Sequence, residues 1–286
     1  MRVVKKEIKF GNRNNQKMYY EAYDNYKEFL EVLEKRQNEN PNRAIESIID
    51  DPNWVGVKSF EEAKDLLLNG WSKEVETLKM KFNQELNSIE KKGKMKTFAN
   101  VQGFMPIVSS AVMRLPNSMI DIKMENKKSK ILKFMICIDR ACSVETEEII
   151  ETMSKQLAVI SSLERSGQYR CRIEIIFCPF DDSEPNKTIC PCSIMVKRES
   201  QPFDIKRLAY PIIHPSMLRA LMFAWEGSLP MKYSEYHFCG LGRSFDRWNL
   251  SSKNEFINAI KELNENVFVV DFKTDVEQML KEGGVK

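Results

Sequence analysis

The sequence predicts an α/β protein: a helical N-terminal region over residues 1–96, then a three-layer, mostly parallel sheet with an antiparallel edge strand over residues 97–286. Three observations predict it. Residues 131–138, Ile-Leu-Lys-Phe-Met-Ile-Cys-Ile, are an apolar run too short for a membrane and suited to a strand covered on both faces. Behind it Ile149 or Ile150, Met153, Leu157, Ile160 and Leu163 recur at three- and four-residue steps, which is the period of an amphipathic helix. Ser166-Gly167 then gives way at once to a second β-rich run, Arg170 to Cys178. Strand, helix and strand in immediate succession form a βαβ unit with parallel pairing and a right-handed crossover.

Taken in order, Val3, Val4, Ile8 and Phe10 alternate weakly as a first strand, and Tyr19, Tyr23, Tyr26, Phe29, Leu30 and Leu33 predict a helix from Tyr19 to about Arg36. A brief helical piece, Ala44 to Ile49, is broken by Asp50-Asp51-Pro52-Asn53. Ser59-Phe-Glu-Glu62 has the capping-box form and opens a helix that Asn69-Gly70 closes. Ser72 caps the next helix, with its stripe Val75, Leu78, Phe82, Leu86 and Ile89, and so short a joint predicts a helical hairpin with Trp54 and Trp71 packed near its hinge. Lys91-Lys-Gly-Lys-Met-Lys96 marks the domain boundary, and Ile120 to Met124 is expected to pair with Ile131–Ile138 as a hairpin.

In the central unit, Ser143 stands where a cap is wanted and Glu145, Glu147 and Glu148 fall in the first helical turn. Thr188 to Arg198 reads as a strand antiparallel to its predecessor, since the connection is too short for a crossover helix. A helix opens at His214-Pro215-Ser216 and ends at Gly227; Tyr233 to Phe238 is strand-like; Ser251 begins another helix; Val267 to Asp271 is a strand; and Thr274 to Glu282 is a last helix.

Composition places the chain among globular proteins, with 42% hydrophobic and 30% charged residues in 286. The 44 basic and 41 acidic residues nearly balance, so any nucleic-acid contact must come from local clusters. There is no apolar run of roughly eighteen residues and no apolar stretch behind the basic start, so a cytosolic site is expected and a membrane is not. The seven cysteines are expected to be reduced and buried.

Ligands of open α/β sheets bind outside the carboxyl ends of the strands, where Asp139-Arg-Ala-Cys-Ser143 lies. Asp139 and Ser143 could offer oxygens to Mg or Mn, whereas a local cap or pairing needs no metal. The order strand, Asp loop, helix, strand, antiparallel strand, helix is Rossmann-like and resembles the von Willebrand factor A fold, whose metal loop is Asp-x-Ser-x-Ser. Here Ala141 replaces one hydroxyl and Arg140 stands beside the Asp. Three glutamates in the first turn argue against a phosphate cradle. Cys178, Cys190 and Cys192 lack the spacing of paired zinc ligands and suit a core better. Lys91, Lys92, Lys94 and Lys96, with Lys127 and Lys128, could meet phosphate backbones or simply be solvated.

Two sets of residues carry a further resemblance: Asp51-Pro-Asn-Trp54-Val-Gly56, Ser59-Phe-x-Glu62-Ala63 and Asn69-Gly70-Trp71; and Pro106-Ile-Val108, Pro116 and Met119, with the strand and helix ending Leu163-Glu164. Over roughly residues 50–180 the chain resembles uncharacterised proteins of tailed bacteriophages and prophages. The resemblance implies an origin in a phage or mobile element and supplies no reaction. The expectation is a non-enzymatic protein without a cofactor that binds a protein of phage or bacterial host, or itself, within an assembly. The alternatives are a nucleic-acid-binding accessory protein, in replication or in countering host defence, and a metal-dependent enzyme using Asp139.

Overall fold

The structure, a computed structural model, describes residues 1–8, 16–39, 51–71, 75–89, 97–102, 105–122, 129–140, 144–178, 189–229 and 250–285. Its strands are β1 (Arg2–Ile8), β2 (Gln16–Tyr23), β3 (Thr97–Asn100), β4 (Met105–Pro106), β5 (Met119–Ile122), β6 (Lys130–Cys137), β7 (Tyr169–Phe177), β8 (Cys192–Lys197) and β9 (Val267–Val270). The helices are α1 (Tyr26–Glu39), α2 (Pro52–Val55), α3 (Phe60–Asn69), α4 (Val75–Ile89), α5 (Val108–Val112), α6 (Thr146–Arg165), α7 (Ile205–Ile213), a π-helical segment (Met217–Met222) running into α8 (Phe223–Gly227), α9 (Leu250–Leu263) and α10 (Val276–Glu282).

The larger sheet has the order β1-β2-β8-β7-β6-β9. The apolar run of β6 is explained by its place: it lies in parallel between β7 (Phe134 opposite Ile173) and β9 (Phe134 opposite Phe268), so both edges and both faces are covered. Phe134, Ile136 and Ile138 face one core, and Met135 and Cys137 face the other, as the two-residue period of a strand requires. The first core receives the apolar faces of α1, α3, α4, α6 and α7, and the second receives Phe256, Ala259 and Ile260 of α9. The chain is thus α/β, with helices against both faces of a mixed sheet. β8 runs antiparallel to β7, as the short connection predicts.

Four expectations change. Residues 19–23 are strand, not helix: Tyr19 and Tyr23 are four apart, which satisfies a helical stripe and a strand's alternation equally, and Met18 and Tyr20 fill the second core from the same strand. The described part of residues 1–96 is mostly helix, but it also carries β1 and β2 and shares its core with the rest of the chain. β2 pairs in parallel with β8, from Glu21 opposite Cys192 to Tyr23 opposite Ile194, and Phe29, Leu67 and Phe82 share a core with Phe134 and Ile175. Ile120 does not pair with β6, whose edges are taken; β5 instead lies between β3 and β4 in a three-stranded antiparallel sheet of its own. And α4 runs along α6 while α3 packs on α1, α7 and the π segment, so the two do not form a hairpin.

Local chemistry sets the helix ends. Ser59 Oγ accepts from Glu62 N–H (3.1 Å) and Glu62 reaches back to the N–H of Lys58 (2.8 Å), one residue before the expected partner. Gly70 closes α3 at φ +90°, its N–H bonded to Leu66 O (3.0 Å). The N-cap of α6 is Glu145, which makes no side-chain cap bond; Ser143 lies outside the described residues. The pieces Ala44–Ile49, Ser72 and Tyr233–Phe238 lie outside them too.

Candidate functional site

Two places merit a functional reading. The first is the carboxyl end of the parallel strands, where Asp139 follows β6 and Asp271 follows β9. Asp139 is buried, and its Oδ2 accepts from the N–H of Cys178 at 2.7 Å and from the Cys137 thiol at 3.7 Å, which ties the ends of β6 and β7 together. Asp271 pairs with Lys253 of α9 and accepts from Thr274 Oγ1 at 2.6 Å. Gln156 of α6 donates to the Asp271 carbonyl at 2.8 Å. Arg140 donates to the carbonyls of Ile212 and Ile213 at the end of α7, where a cation suits the negative end of the helix dipole. Arg219 does likewise for the Trp54 carbonyl, its guanidinium 4.6 Å from the indole centroid.

Burial dominates the ionisation of this region. It pushes the Glu226 carboxyl up to about 8, with the Asp139 charge adding to the effect, so Glu226 is mostly protonated at neutral pH. It also raises the thiols of Cys137 and Cys178 well above their ordinary value, with the Asp139 charge again contributing, so neither is a thiolate nucleophile. Cys178, Cys190 and Cys192 form no disulfide and are buried in the two cores. Among the described residues no group of three or more His, Cys, Asp or Glu could hold a metal ion. Ser143, the other residue of the expected metal pair, lies outside them. His214 is also engaged internally: Nδ1 lies 2.8 Å from Ser216 Oγ, the ring stacks on Tyr210 at 5.0 Å, and Trp71 meets it edge-on at 4.9 Å. Trp54 is half-buried beneath Arg219 and against Phe223. The sequence pointed to Asp139 through its strand-end position. Asp271 carries that same signal at the end of Val267–Val270, whereas Glu226, Gln156 and Lys253 have no spacing that announces them.

The second place is the segment from β3 to β5. None of its described side chains is buried, and α5 has no buried residue. Val101 (64% exposed), Val108 (70%), Val112 (77%) and Met113 (65%) stand open to solvent, with Met105 and Leu115 about half so. Val108 and Val112 are four apart and share a helical face. Lys91, Lys92, Lys94, Lys96, Lys127 and Lys128 lie outside the described residues. Thr97 pairs directly opposite Ile122 in the small sheet. Of the chain's 44 Lys/Arg and 41 Asp/Glu, residues 91–130 hold nine and two, which leaves 35 and 39 for the rest. The segment from β3 to β5 thus falls within a basic stretch of a chain that is otherwise slightly acidic.

A family model described as a domain of unknown function (DUF7192) matches residues 5–285, so the chain belongs to that family. No curated protein and no solved structure matches it.

Proposed function

We propose that this DUF7192 protein acts without catalysis, by binding another protein through the segment from β3 to β5. One observation carries the reading: six exposed apolar side chains, Val101, Met105, Val108, Val112, Met113 and Leu115, lie on a segment whose described residues bury nothing. Holding a residue in one conformation costs roughly 1–2 kcal/mol, and a segment without a core recovers little of that by itself. Covering its apolar surface would return roughly 25 cal/mol per Å². Exposed apolar side chains gathered on one segment are the usual material of an interaction site. The partner is a protein of a phage or of its bacterial host, or a second copy in an assembly, met in the cytoplasm or in a virion. The von Willebrand factor A-like reading of the sheet and the phage or prophage origin belong to the same proposal. The strand, Asp loop, helix and strand order supports the former, and the Trp, Gly and capping-box residues around Trp54, Ser59, Gly70 and Trp71 support the latter.

Cross-linking with mass spectrometry in the native cell tests it. Cross-links from residues 97–122 to one protein are expected, with loss of that protein when Val108→Glu and Val112→Glu are combined. An unchanged set of cross-links in the double variant would overturn the reading. A second reading, nucleic-acid binding by the lysine clusters, is favoured by the excess of cations in residues 91–130. Salt-sensitive retention on DNA or RNA that is lost when Lys91, Lys92, Lys94 and Lys96 are neutralised would select it.

A further inference from the structure

We propose that the cavity where β6, α6, α7 and the π segment meet binds a small aliphatic carboxylate, held by the Arg140 guanidinium. The proposal is independent of the segment from β3 to β5. The cavity lies past the carboxyl end of β6, where open α/β sheets take their ligands, and its wall includes Met217, Leu218 and Arg219 of the π segment, an irregularity frequent at functional sites. Among the described residues its lining holds Arg140, Arg219 and His214 as the polar members and no carboxylate; the other seven are Ile, Pro, Met or Leu.

Arg140 is the residue that calls for a ligand. Its Nη atoms are fixed on the carbonyls of Ile212 and Ile213, but its Nε is buried with no hydrogen-bond partner. A buried donor left unpaired on a cation is costly, and burial, with the nearby Arg219 charge adding to it, lowers the guanidinium to about 10. Asp139 does not line the cavity; its Oδ2 accepts from the N–H of Cys178. A carboxylate would accept from the Nε–H and neutralise the guanidinium, which is the strong, charge-assisted kind of hydrogen bond. Arg219, engaged with the Trp54 carbonyl and indole, adds its charge without supplying a donor.

Size, charge and wall select the class. The enclosed space takes about one water-sized group, which suits a carboxylate head and excludes a nucleotide or a sugar. His214, lowered by burial to about 4, adds no charge at neutral pH, and Glu145, Glu147 and Glu148 stand exposed in the turn before Ile149, a lining residue. Those glutamates favour a singly charged ligand over phosphate. The apolar wall suits a short aliphatic tail. Nε is screened from solvent, so the head group must displace part of that wall to reach it; Pro215 and Leu218 are its half-buried members.

The test uses the full chain, isotopically labelled for NMR, with isovalerate as the probe and isovaleramide and inorganic phosphate in parallel. Isovalerate is expected to bind with a Kd below about 10 mM, to raise the melting temperature, and to move downfield one arginine Nε–H resonance that is absent from Arg140→Lys. Phosphate is expected to bind at least about tenfold more weakly, and the amide not to bind. Arg140→Lys keeps the charge and a donor for the α7 carbonyls but loses the Nε–H, and is expected to weaken isovalerate at least about tenfold. Leu218→Trp, which fills the cavity from a half-buried position, is expected to do the same without lowering the melting temperature. An unmoved resonance, equal binding of the amide, or equal or tighter binding of phosphate overturns the proposal, as does parental affinity in either variant. If a variant fails to melt cooperatively, the parent's resonance and the comparison with the amide decide.

Discussion

Glu21 has no exposed surface, in mid-sheet, yet it remains charged. Burial alone would raise its carboxyl, but hydrogen bonds and charge from Arg36, with the Tyr23 hydroxyl, pull it below the ordinary range. Arg36 grips it with two bonds of 2.6 and 3.0 Å, Tyr23 donates at 2.6 Å and Trp225 Nε1 at 2.9 Å. Arg36→Met leaves that carboxylate buried without its cation and is expected to cost about 3–5 kcal/mol in urea unfolding; a loss under 1 kcal/mol would mean that the neutral donors suffice. Glu226 behaves oppositely. Folded, it keeps a proton up to about pH 8 that the unfolded chain releases above 4.5, so its contribution is complete below 4.5 and declines as pH rises toward 8. His214, which burial lowers to about 4, is neutral when folded; its contribution is present above 6.5 and declines as pH falls toward 4. Only Glu226 of this pair acts between 6.5 and about 8, where stability is expected to drop by on the order of 1 kcal/mol per pH unit. Glu226→Gln should flatten that limb in melting experiments, and an equally steep limb in the variant would assign it to another group.

Caps and turns translate most directly from sequence to element. The Ser59 cap and the glycine at 70 act as their spelling predicts, with the return bond of Glu62 displaced to Lys58, and Ser59→Ala is expected to lower stability by about 1 kcal/mol, as read from the urea midpoint. Gly56 was legible only as part of a motif. Its φ of +85° and its contact with α7's end, where an added Cβ would meet Pro215 Cγ at 3.0 Å and His214 Cε1 at 3.2 Å, need coordinates. Gly56→Ala is therefore expected to destabilise by more than the ~1 kcal/mol of a left-handed backbone alone, and a neutral result in thermal unfolding would show that Pro215 yields. The strand, helix and strand from β6 to β7 could be read because burial on both faces writes a continuous apolar run. β2 was misread because aromatic residues four apart fit two periods at once, and only pairing with β8 decides between them. The lysines and Asp139 were visible as residue types; the exposed face of α5 was not, since Val and Met in a sequence look like core until no core is found around them.

At the scale of the molecule, the strands from the first residues of the chain complete a sheet begun far downstream. A chain starting at residue 97 would lack β1 and β2, leave β8 as a bare edge and uncover the first core where Phe29, Leu67 and Phe82 sit. It is expected to be insoluble, and a soluble, cooperatively melting fragment would restore the boundary suggested by Lys91–Lys96. The two halves of this joint lie far apart along the chain: the Tyr20 hydroxyl meets Ser193 Oγ at 2.7 Å across 173 residues. During synthesis at roughly 5–20 residues per second, the opening hairpin leaves the ribosome on the order of 10–30 s before its neighbouring strand exists. For that interval Met18, Tyr19, Tyr20 and Tyr23 have no sheet to join, so the nascent chain is a natural client for ribosome-associated chaperones, and slowing translation before residue 192 should lengthen its exposure to them.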